Sequence, residues 1–102
     1  MHVEILHIDD CPNWVEAGKR VEAALLHLDR DDDEVTYRLL ASPAAAAKVP
    51  FAGSPTILVD GVDVFPTDGR TSDLACRIYR TDSGFAGAPT VAQLIEAMRK
   101  LA

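Results

Sequence analysis

Two cysteines carry most of the chemistry this sequence can offer. Cys11 falls where an apolar run, His2-Val3-Glu4-Ile5-Leu6-His7-Ile8, gives way to Asp9-Asp10-Cys11-Pro12. A thiol there sits at a helix N-terminus, where unsatisfied N–H groups and roughly half a positive charge favour the thiolate. Asp9 and Asp10 oppose that effect, and Pro12 removes one donor, so modest activation is expected unless Arg77 or Lys48 comes near. Cys76 is the second thiol, either a partner for Cys11 or a buried apolar cysteine. His7, four residues before Cys11, is a candidate base or an ordinary strand histidine. Trp14 either covers the thiol or packs nearby. His2 and His27 have no ligand spacing with the cysteines, so no zinc site is expected. No phosphate-binding glycine motif stands out, and no cofactor is expected.

The elements that must position these residues follow from periodicity. Residues 2–8 predict a strand buried on much of both faces. Val15, Gly18, Val21, Leu25 and Leu28 recur at helical spacing, predicting a helix from about Pro12 to Leu28. Val35, Tyr37 and Leu39 alternate with Thr36 and Arg38, predicting a strand near 34–40. Ser42-Pro43 opens a short helix that ends before Pro50. Thr56–Val59 and Val62–Phe65 flank Asp60-Gly61, the pattern of a two-residue hairpin. Thr90 and Gln93 form a capping box ahead of Val91, Leu94, Ile95, Met98 and Leu101. Residues 66–89 are irregular. Thr71-Ser72-Asp73 could start a short helix through Cys76, Arg77–Arg80 could be a strand, and Thr81–Gly84 reads as a turn. The predicted order is β-α-β-α-β-β-α in one domain over 1–102, with a four-stranded mixed sheet between helices in three α/β/α layers.

With 102 residues, 48% of them hydrophobic and 25% charged, the chain suits a single domain with a modest core. Its net charge of −6 argues against nucleic acid and against anionic membrane surfaces. The acidic run Asp29–Glu34 reads as a solvated loop. No stretch predicts a transmembrane span, and Met1-His2-Val3-Glu4 lacks the basic start of a signal peptide. A cytoplasmic, reducing setting is therefore expected, in which a disulfide would be transient.

Three stretches resemble small thioredoxin-like proteins of actinobacterial type that often carry an alkylmercury lyase label. They are Cys11-Pro12-Asn13-Trp14, Gly53–Gly61, and Leu74–Thr81 with Ala86–Thr90. The resemblance implies a thioredoxin-like fold of glutaredoxin size. It also implies a cis-proline at Pro55 facing Cys11, with Pro12, Trp14, Ser54, Pro55 and Thr56 lining a substrate site. One departure stands out. Trp14 occupies the place of the second cysteine in Cys-x-x-Cys. In the thioredoxin arrangement the hairpin returns the chain to the Cys11 end of the sheet, so the segment carrying Cys76 begins there. A disulfide needs Cα atoms within about 7 Å. The implied activity is thiol-disulfide exchange through Cys11 and Cys76 with a protein or small-molecule thiol or disulfide. The alternatives are binding of mercury or another soft metal by the two thiolates, and a scaffold without chemistry. Carbon–mercury cleavage would also need a proton donor between the thiols; Asp9, Asp10 and Asp73 are candidates, and nothing in the sequence selects one of them.

Overall fold

Val3 and Ile5 on one side and Leu6 and Ile8 on the other give the first strand two apolar faces, so it must lie inside a sheet. The computed structural model describes residues 1–30, 32–66 and 74–101 and places that strand, β1 (Val3–His7), at a central position. The other sheet strands are β2 (Val35–Leu39), β3 (Thr56–Val59) and β4 (Val62–Asp63), in spatial order β2-β1-β3-β4. β1 runs parallel to β2 and antiparallel to β3, with Ile5 opposite both Tyr37 and Ile57.

Helices α1 (Asn13–His27), α2 (Pro43–Ala47) and α3 (Val91–Leu101) cover the sheet. α1 and α3 contribute Val21, Leu25, Leu94 and Met98 to a core shared with Val3, Ile5, Ile57 and Val59. The opposite face gathers Leu6, Ile8, Cys11, Leu40, Ala46, Phe51 and Leu58 under α2. The molecule is thus a mixed α/β fold with a four-stranded mixed sheet and helices on both faces.

Local chemistry explains the boundaries. The Ser42 hydroxyl accepts from the Ala45 N–H at 3.2 Å, with Pro43 at the first helical position. Thr90 and Gln93 exchange reciprocal bonds of 3.1 and 2.9 Å at the start of α3. Asp60 (φ 51°) and Gly61 (φ 85°) both adopt the left-handed conformation that the tight β3–β4 turn requires.

Five expectations need correction. β4 stops at Asp63 rather than Phe65, because the Asp63 carboxylate turns back to accept the Phe65 N–H at 2.8 Å. Val15 points outward from α1, and the buried stripe is instead Ala17, Gly18, Val21, Ala24 and Leu25. Leu101, the last residue of α3, is likewise exposed. The irregular segment holds a second sheet, β5 (Tyr79–Thr81) paired with β6 (Gly84–Ala86), so the order gains two strands before the last helix. Its turn is the expected Thr81–Gly84, closed by the Thr81 hydroxyl donating to the Gly84 carbonyl at 2.6 Å. The proposed helix start at 71–73 lies outside the described residues. Leu74–Arg77 are not helical, since Cys76 forms an isolated parallel bridge with Ser54.

Candidate functional site

Cys11 and Cys76, 65 positions apart in sequence, are joined in a disulfide with their Cα atoms 5.9 Å apart. Three segments converge to make that contact. The first is the end of β1 with the start of α1. Pro12 occupies the helix cap position without a side-chain cap bond, and Cys11 precedes it, fully buried. The second is the loop before β3, where the Ser54–Pro55 peptide is cis. The third is the extended segment 74–78.

Ser54 ties the three together. Its hydroxyl accepts the Ile8 N–H at 3.2 Å, fixing the loop to the exit of β1. Its backbone N–H donates to the Ala75 carbonyl and its carbonyl accepts from the Arg77 N–H, both at 2.8 Å. That carbonyl also lies 3.5 Å from Cys11 Sγ. The Ser54 backbone edge is therefore fully used by the chain's own residues 75–77, which presents Cys76 to Cys11. Thr56, also fully buried, accepts the Ala52 N–H at 3.0 Å and donates to the Gly53 carbonyl at 2.6 Å, closing the same loop.

The Cys76 side is braced by charge. Arg77 donates to the Asp63 carboxylate at 2.8 Å and to the Phe65 carbonyl, and its guanidinium lies 4.7 Å over the Tyr79 ring. Tyr79 in turn donates its hydroxyl to the Pro55 carbonyl. Burial pushes the Tyr79 phenol well above its ordinary range. Arg77 thus serves as a brace with a carboxylate partner rather than as a cation dedicated to the thiol. Gly53, at φ 105°, allows this packing, because a Cβ there would lie 2.8 Å from Arg77 Cβ.

Asn13 is a site residue that sequence reasoning passed over. Its amide donates to Cys11 Sγ at 3.5 Å and is packed against Gly87 so closely that a Cβ on Gly87 would strike it. The available signal was its place within the Cys11–Trp14 stretch. Tyr79 had a similar signal in the Leu74–Thr81 stretch, whereas Asp63 had none, since it reaches the site only through the β4 backbone.

Trp14 packs. Its ring stacks on His7 at 4.2 Å and meets Tyr37 edge-on at 5.5 Å. His7 is buried, and its Nδ1 has no hydrogen-bond partner among the described residues. Loss of solvent lowers the His7 pKa, outweighing smaller opposing contributions from the Ile8 backbone and Asp9. Pro12, Asp9 and Asp10 are exposed, whereas Pro55 is fully buried. Asp73 lies outside the described residues.

Among the described residues, no three His, Cys, Asp or Glu side chains cluster as metal ligands. No helix there is long and apolar enough to cross a membrane. Compared with known protein families, curated proteins and solved structures, the chain matches none.

Proposed function

We propose that this protein is a thioredoxin-like thiol-disulfide redox protein that cycles between the Cys11–Cys76 disulfide and the dithiol. The observation that carries this reading is the meeting of two sequence-distant cysteines, Cα atoms 5.9 Å apart, beside the cis Ser54–Pro55 peptide. Supporting it are the strand order β2-β1-β3-β4 and the placement of Cys11 immediately before α1. Cys76 supplies the second thiol whose usual place Trp14 occupies in the sequence. In one cycle two substrate thiols become one disulfide, while the protein disulfide takes up two electrons and two protons to become two thiols. The partner is a protein or small-molecule thiol or disulfide, and the setting is cytoplasmic.

The test is a redox titration in thiol/disulfide buffers, with alkylation and mass measurement at each ratio. Both cysteines should change state together, reversibly, in one transition. A disulfide that fails to re-form once reductant is diluted would sink the reading and leave a scaffold without chemistry.

The same sulfur pair supports a second reading. Once reduced, two neighbouring thiolates form a two-coordinate site for mercury or another soft cation. Mercury titration of the reduced protein should then give one tight equivalent that Cys76→Ser weakens. Unchanged affinity rules out shared ligation.

A further inference from the structure

The two sulfurs of the disulfide belong to residues with opposite surroundings. Cys11 is fully buried, packed with Leu6, Ile8, Leu40, Ala46, Phe51 and Leu58. Cys76 is exposed on an extended segment. Beside Cys76 lies a cleft of about 580 Å³, walled by Ala52, Phe65, Pro66, Ile78 and Arg80 and reaching Gln93 of α3. That volume falls in the range of small-molecule sites, roughly 300–1,000 Å³. Its floor is held firmly, since Arg77 and Tyr79 are bonded to Asp63 and to the Pro55 carbonyl. Ile78, by contrast, is 72% exposed at the rim. The chain contributes no other exposed cysteine, because Cys11 and Cys76 are its only two.

Exchange requires a thiolate to approach along the S–S axis and bond to the sulfur it can reach. We infer that this sulfur is Cys76 Sγ, that Cys11 is the buried leaving and resolving sulfur, and that the cleft seats a low-molecular-weight thiol or its disulfide. This inference rests on the redox reading above. It reverses the order that a helix-capping thiol suggests, in which Cys11 attacks first. In the reducing direction, a substrate thiol releases its proton to solvent and its thiolate attacks Cys76 Sγ. The new substrate–Cys76 disulfide forms as the Cys11–Cys76 bond breaks. The electron pair of that bond goes to Cys11 Sγ, where the Asn13 amide and the start of α1 receive the thiolate. A second substrate thiolate then attacks the sulfur of the bound substrate, releasing substrate disulfide and the Cys76 thiolate. The reverse sequence starts with Cys76 thiolate attacking a substrate disulfide, and Cys11 then closes the protein disulfide.

The experiment compares Cys11→Ser, which leaves only Cys76, with Cys76→Ser, which leaves only Cys11. Each is incubated with bis(2-hydroxyethyl) disulfide, and the mixed disulfide is followed by mass. Cys11→Ser should form its adduct at least about tenfold faster than Cys76→Ser, a difference that urea abolishes because access alone causes it. In parallel, the reduced wild-type protein is alkylated briefly with iodoacetamide and peptide-mapped, which needs no variant to fold. Cys76 should be modified first. Equal rates, or Cys11 modified first, overturn this assignment while the redox reading survives. No adduct in either variant overturns both. For the cleft, Ile78→Asp should slow exchange with dibenzyl disulfide about threefold or more relative to bis(2-hydroxyethyl) disulfide, since it removes an apolar wall. An equal effect on both disulfides rejects the cleft as the docking place.

Discussion

At the scale of single residues, the site depends on polar groups committed to one another. Arg77 and Asp63 are both largely withdrawn from solvent, with side chains 9% and 14% exposed. Removing one partner leaves the other charge unpaired in a poorly hydrated place. Arg77→Ala should therefore lower unfolding free energy by about 3 kcal/mol, read from urea denaturation. A loss under about 1 kcal/mol would mean that water already screens the pair. His7 makes a different prediction. Its folded-state pKa is depressed by burial, so the unfolded chain binds a proton more readily. Stability contributed by neutral His7 is present above the unfolded value of about 6.5 and falls as pH drops below it. His7→Phe keeps a ring against Trp14 and removes the titrating group. Thermal melts between pH 7.5 and 5 should show a shallower acid loss in this variant than in the wild type. An unchanged slope would place the acid sensitivity elsewhere.

At the scale of elements, the loop before β3 is the part on which the site turns. Gly53 holds φ 105° with its Cα hydrogen facing Arg77, a position closed to any side chain on both counts. Gly53→Ala should destabilise by about 2 kcal/mol or more and loosen the 75–77 segment that bonds to Ser54. Gly61→Ala is the control, because its φ is also positive but no atom of the described residues lies within 4 Å of the added carbon. Its cost should be about 1 kcal/mol, backbone strain alone. If the two variants cost the same, contact with Arg77 is not what the loop depends on. The ends of these elements were readable from sequence wherever the signal was local. Ser42-Pro43, Asp60-Gly61 and Thr90 with Gln93 each act within four residues. The β5–β6 hairpin was half readable. Its turn residues stood out, but its strands are three residues each, too short for alternation to register.

At the scale of the molecule, the Cys11–Cys76 bond closes a loop across most of the chain, with a sequence separation of 65. Chain-entropy arguments put the stabilisation from closing such a loop at about 4 kcal/mol. Reduction should lower the urea midpoint accordingly, and the reduced protein should match the Cys11→Ser, Cys76→Ser double variant within about 1 kcal/mol. A reduced protein as stable as the oxidised one would mean that the hydrogen bonds around Ser54 already hold the 74–78 segment in place. That outcome would suit a bond that opens and closes in use, at little cost to the fold.

The sequence by itself determined the class of the fold, its central strands, its caps and hairpin turn, and the place of Cys11 between the first strand and the first helix. Each rests on periodicity or on contacts within a turn, which neighbouring residues dictate. Only the tertiary structure decided that Cys11 meets Cys76 and that Arg77 is bound to Asp63. It also decided which cysteine is buried and which faces solvent. Those facts depend on strands β3 and β4 returning the chain to the exit of β1, and on a glycine letting two backbones approach. Contacts between segments so distant in sequence leave no local pattern, so the pairing of the sulfurs became visible only once the sheet had assembled around them.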